Sequence, residues 1–156
     1  MKPIRQQLME AIQARLETIR VSAGYLTDVG INVFHWRDPQ GEPFQPLEKP
    51  CCFIRDASSE ITPLDNTVHE HAVSVEIGAL VDRSDAAAVM RDIEADLFQA
   101  IGVDKTFGGL CYYCQTSGTQ SDVKTTGEKN AVVRIMLELR YRTPAWDAFT
   151  LHTGPT

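Results

Sequence analysis

The chain has 156 residues, of which 43% are hydrophobic and 23% charged, and its net charge is −6. A chain of that length buries roughly 68–70% of its unfolded surface, so a stable core needs neither metal nor disulfide, and the composition excludes disordered, collagenous and coiled-coil classes. The acidic balance repels phosphate backbones and argues against nucleic-acid binding, while apolar runs of only a few residues exclude a membrane-spanning helix, which needs about 20.

The N-terminal stretch MKPIRQQLMEAIQARLETI is charged throughout and lacks the apolar core of a secretory signal, which predicts residence in the cytosol with reduced cysteines. From Pro3 the apolar positions Ile4, Leu8, Ala11, Ile12, Leu16 and Ile19 recur at three- and four-residue spacing, the signature of an amphipathic helix. Pro3 suits its first position, and Gly24 stands where it would help to stop it. After the turn-like GYLTDVG, Ile31 to Trp36 predicts a short strand, and the proline-rich Gly41 to Pro50 predicts an irregular surface connection.

Cys51 to Asp56 predicts a strand ended by the polar stretch Ala57 to Asn66, and Thr67 to Val81 predicts the next. There Val73, Val75, Ile77, Ala79 and Val81 alternate with Ala72, Ser74, Glu76 and Gly78, the period-two pattern of a sheet wet on one face. A second helix, with Ser84 as its expected cap, carries the stripe Ala86, Met90, Ile93, Leu97 and Ile101 and closes at Gly102. Gly108 to Gln120 predicts a strand and Asp122 to Lys129 a polar turn. From Asn130 to Thr143, Val133, Ile135, Leu137, Leu139 and Tyr141 alternate with Arg134, Met136, Glu138, Arg140 and Arg142 in a last strand. This order predicts one α+β domain over 1–143, a largely antiparallel or mixed sheet of about four to five strands with two main helices on one face, followed by an aperiodic arm at 144–156.

Several constellations invite chemical readings. Cys111-Tyr-Tyr-Cys114 has the CxxC spacing of redox and zinc sites, but within an expected strand positions three apart face opposite ways, so ordinary buried or half-buried thiols are the plainer reading for these two and for Cys51 and Cys52. A four-thiolate zinc site needs a second matched knuckle that the chain lacks. His69 and His71 share a strand face and would hold a metal only with a third ligand such as His35 or Asp65; hydrogen-bonded, partly exposed histidines are the blander account. The carboxylates Asp82, Asp85, Asp92, Glu94 and Asp96 read as the solvated face of the second helix. No GxSxG and no glycine-rich loop opening a helix occurs. The row Arg134, Glu138, Arg140, Arg142 can pair with a neighbouring subunit, with water, or across strands opposite Glu76.

The succession GYLTDVGINVFHWR, FIRD, HEHAVSVEIGALV, MRDIEADLFQAIG and AVVRIMLELRYRT, from about Arg5 to Thr143, resembles the tail terminator family of long-tailed bacteriophages, which includes the minor tail protein U group. That resemblance implies a non-enzymatic subunit without cofactor. It would form a hexameric ring on the finished tail tube, end polymerisation and offer a docking surface to the head–tail connector. Its implied partners are further copies of itself, the tail tube protein and the connector, with no membrane and no specific nucleic-acid binding, DNA passing through the ring. Its implied location is the host bacterial cytoplasm during assembly and the virion tail afterwards.

Polarity and irregularity, rather than the resemblance, place the expected subunit contacts. They fall on the hairpin with Asp122, Lys124, Glu128 and Lys129, the loop with Glu48 and Lys49, and the row Arg134, Glu138, Arg140 and Arg142. Competing readings are a head–tail joining or tail completion protein, a cytosolic thiol or zinc protein using Cys111, Cys114, His69 and His71, and an adaptor domain with no phage connection.

Overall fold

Alternation of apolar side chains over two long segments builds the centre of the molecule. The computed structural model describes residues 1–36, 50–82, 85–124 and 130–154. In chain order its elements are α1 (Ile4–Leu16), β1 (Val33–His35), β2 (Cys51–Pro63), β3 (Val68–Asp82), α2 (Ala86–Gly102), β4 (Tyr113–Lys124) and β5 (Asn130–Pro144). The strands form one mixed sheet in the order β1-β2-β3-β5-β4, with β1 parallel to β2 and every other pair antiparallel. The fold is α+β, as the periodicities predict.

The β3–β5 register sets Val73 opposite Leu139, Val75 opposite Leu137, Ile77 opposite Ile135 and Ala79 opposite Val133. All eight are buried in one cluster with Leu8, Ile12 and Leu16 of α1 and Ile93 and Leu97 of α2, so both helices cover the same face. At about 25 cal/mol per Å² of apolar surface removed from water, this interface is the main stabilising term.

The boundaries depart from the sequence expectation where tertiary partners override local composition. β2 does not stop at Asp56. It runs to Pro63 because β3 supplies a ladder for the polar residues, Ile61 opposite His71 and Pro63 opposite His69, past a register shift between Asp56 and Ser58. β4 starts at Tyr113 rather than Gly108, since Phe107, Gly108 and Gly109 all have positive φ, at 50°, 73° and 88°. Asp104 secures that turn by accepting from the Thr106 N–H and hydroxyl and the Gly108 N–H. Pro3 occupies the cap position of α1 rather than its first turn. Gly24 does not end that helix; with φ 94° it closes the separate 3₁₀ turn Val21–Ala23. Ser84, the expected cap of α2, lies outside the described residues, as do 37–49 and 125–129; the observed capping residue is Asp85, without a side-chain cap bond.

Two corrections concern burial. The sheet face away from the helices is not uniformly wet, because Cys51, Phe53 and Leu80 form a second buried cluster with Phe34 and Val132 against it. Each strand contributes only one or two of these residues, so no single strand shows the pattern. Gly78 lies under Phe53, where an added Cβ would stand 2.3 Å from the ring and 2.6 Å from the Val133 carbonyl oxygen.

Asp96, expected on the solvated face of α2, is fully buried. Its carboxylate accepts from the N–H groups of Leu26 (2.9 Å) and Thr27 (2.8 Å) and from the Thr27 hydroxyl (2.6 Å), pinning the segment after α1 onto α2. Of the aperiodic arm, the described residues contact the body: Ala145 N–H donates to Thr67 O, Ile4 N–H to Ala148 O and His152 N–H to Arg142 O, while Leu151 packs on the core.

Asp96→Ala strands the buried Thr27 N–H and hydroxyl, each costing about 1–3 kcal/mol when unsatisfied, and releases the part-buried Leu26 N–H. We expect a loss of roughly 2–4 kcal/mol in urea unfolding. A loss below about 0.5 kcal/mol, the range of ordinary surface changes, would contradict the role given to this carboxylate.

Candidate functional site

The charged row of β5 lies on the sheet face opposite the helices, and most of its charge is spent inside the fold. Glu76 of β3 is flanked by Arg55 at 3.0 Å and Arg134 at 3.7 Å, and Glu70 by Arg142 at 3.2 Å, while Glu138 pairs with Arg140 at 3.0 Å. Three of the guanidiniums also lie over aromatic rings: Arg134 over Phe53, Arg140 over Tyr113 and Arg142 over Tyr112. The Tyr112 hydroxyl donates to Glu70 and, with Arg142, holds that carboxyl below its ordinary range. Burial, and then the Glu70 carboxylate, push the Tyr112 hydroxyl up. Each exposed pair is worth about 0–1 kcal/mol, but the alternating carboxylates and stacked guanidiniums form a cross-strand network that a neighbouring subunit would have to share or break.

Of the other residues expected at subunit contacts, Asp122 is exposed near the end of β4 and Lys124 is the last residue of that strand. Glu48, Lys49, Glu128 and Lys129 lie outside the described residues. β4 is a sheet edge, exposed from Gln115 to Asp122.

The thiols are all buried. Cys111 precedes β4, so strand alternation does not apply to it; contrary to the expected divergence, Cys111 and Cys114 both belong to the helix-side core, and the Cys111 thiol donates to the Lys105 carbonyl. Burial pushes the Cys111 thiol up to about 12 and raises those of Cys114 and Cys52 as well. Since the thiolate is the nucleophile and the metal ligand, this arrangement suppresses both chemistries at neutral pH.

The two histidines of β3 are bound into the sheet end. His71 shares a hydrogen bond with the Thr143 hydroxyl at 2.9 Å and stacks on Tyr141, and burial lowers its pKa. His69 stands edge-on to Trp146, with ring centroids 5.4 Å apart. The two expected third ligands are engaged elsewhere: His35 pairs with the Gln13 side chain, and Asp65 accepts from Thr67 and Val68. Among the described residues no group of three His, Cys, Asp or Glu is placed to hold a metal ion. Asp92 is exposed and Glu94 half-buried on α2, apart from the buried Asp96.

Two apolar surface features had no signal in the sequence. Trp146 is 94% exposed with φ 64°, a conformation that costs a non-glycine residue about 1–3 kcal/mol. It sits in an aperiodic run, and only its position after Pro144 hints at a turn. A hollow of about 210 Å³ opens between the end of α2 and β4–β5, lined by Leu97, Phe98, Ile101, Gly102 and Leu137. Its walls come from three elements distant in sequence, so no local pattern marks it.

No protein-family model and no curated protein matches the chain. Among the described residues no helix is long and apolar enough to cross a membrane.

With the thiols buried, a thiol-specific chromogenic reagent at neutral pH should label none of the four cysteines in the native protein and all four in denaturant. Rapid native labelling of Cys111 or Cys114 would contradict the burial argument and revive the thiol reading.

Proposed function

We propose that the protein is a structural subunit of a long-tailed bacteriophage or prophage, a tail terminator that forms a hexameric ring on the tail tube, ends its polymerisation and presents a surface to the head–tail connector. The observation that carries this reading is the placement of the five phrases that resemble that family. They fall in order on the segment after α1 together with β1, on β2, on β3, on α2 and on β5, and together they make one two-layer α+β domain. The buried thiols and internally paired charges support a non-enzymatic role, since the groups that would do acid–base or nucleophilic work are engaged in holding the fold.

The partners in this proposal are copies of the chain, the tail tube protein and the connector. The hairpin 122–129 and the loop 41–50 remain candidate contacts, whereas the β5 row is occupied by its own strand neighbours. The net charge of −6 supports an acidic channel past which DNA slides without adhering. Assembly would take place in the bacterial cytoplasm and end in the virion tail.

Incubation with purified tail tubes should give co-sedimentation and arrest further growth, with no retention of DNA in a gel-shift assay at low salt. Binding to connectors without binding to tubes would replace this reading with that of a head–tail joining protein, and tight, salt-sensitive DNA retention would remove the acidic channel.

A further inference from the structure

The exposed tryptophan and the hollow beside α2 are complementary in size, polarity and charge, and they stand on different parts of the molecule. Trp146 is held outward by a turn in which the Asp147 N–H donates to the Pro144 carbonyl at 3.0 Å. Its backbone has the positive φ that favours glycine, yet the position carries the largest side chain in the protein alphabet and leaves it 94% exposed. Beside it, Asp147 accepts from the N–H groups of Phe149 and Thr150, which hold its carboxyl below the usual range and hence ionised.

At about 210 Å³ the hollow is smaller than the roughly 300–1,000 Å³ of pockets for drug-sized ligands, so its scale is that of one large side chain. Phe98, 42% exposed, forms part of its wall, and Lys105 lies at its edge.

The lining residue nearest the end of β5, Cys114, lies opposite Leu139, five strand residues or about 17 Å before Pro144, whereas the Trp146 ring stands edge-on to His69 at the far end of β3, so Trp146 does not occupy the hollow of its own chain. A contact between the two features must therefore join different copies through unlike patches. Such a head-to-tail contact propagates into a ring when its rotation closes.

We infer that Trp146 of one copy seats in the hollow bounded by Leu97, Phe98, Ile101 and Leu137 of the next, with Asp147 meeting Lys105 across the contact. The inference rests on the ring reading above and names the contact that would build the ring. Trp146 is the anchor, the type of residue that dominates protein interfaces when it enters a desolvated pocket.

The test uses the full chain and two variants that spare the fold. Trp146→Gly relieves the positive φ, and Gly102→Phe fills the hollow from a position where an added Cβ meets no heavy atom within 4 Å. Circular dichroism and melting curves should show both folded as in the wild type. By light scattering at matched concentration, wild type should self-associate and each variant should do so roughly thirtyfold or more weakly, as for loss of a buried tryptophan anchor. Mixing the two variants should restore one contact, because one supplies the tryptophan and the other the open hollow, and so give a one-to-one dimer and nothing larger. Wild-type association by either folded variant, no dimer on mixing, or a wild type that is monomeric at every soluble concentration would each overturn the inference. Tube co-sedimentation judges the ring reading separately: variants that still cap tubes sink this contact and leave that reading standing, whereas a wild type that ignores tubes sinks the reading itself.

Discussion

The β3–β5 pairing is the constraint on which the rest of the molecule depends. It runs in unbroken register from Val68 opposite Pro144 to Asp82 opposite Asn130, and its parity decides what every other element meets. One face offers Val73, Val75, Ile77 and Ala79 with Leu139, Leu137, Ile135 and Val133 to the helices. The other offers Glu70, Ser74 and Glu76 with Arg134, Glu138, Arg140 and Arg142. A slip of one residue would drive the arginines under α2 and the valines into water, so hydrophobic burial and ion pairing enforce the same register. β2 and β4 extend this pair on either side, and the helices close over its apolar face.

Periodicity carried through to structure wherever one partner decided the outcome. The alternation in Asn130–Pro144 and Val68–Asp82 and the three-four spacing in Ile4–Leu16 are read against a single apolar face, and the elements stand where the pattern put them. It failed where several distant elements act together. Ala57 to Pro63 is polar and becomes strand only because β3 lies beside it. Asp96 looks like one more surface carboxylate of α2 until Leu26 and Thr27, seventy and sixty-nine residues earlier, donate to it. Phe53 over Gly78 and the return of Leu151 to the core are tertiary facts with no local trace.

The candidate surfaces divide in the same way. Cross-strand pairing of the β5 row was one of the outcomes open in the sequence, because Glu76 stands on the facing strand with matching parity; Glu70, the partner of Arg142, was not singled out there. The burial of Cys111 and Cys114 was legible from composition, but their common side was not, since it depends on where β4 begins. Trp146 and the hollow beside α2 had no sequence signature, and they are two of the places among the described residues where the fold leaves apolar surface exposed. Reactive groups held in the protein's own framework, with an aromatic side chain held out in water, are the organisation that the docking role proposed above calls for.

That organisation is tested most directly by the solution mass of the full chain, measured by sedimentation equilibrium with and without magnesium and followed by negative-stain imaging of the heaviest species. The account predicts one closed assembly, a hexameric ring, carrying no stoichiometric metal. Open filaments of indefinite length, or a monomer that retains zinc through extensive chelation, would contradict it.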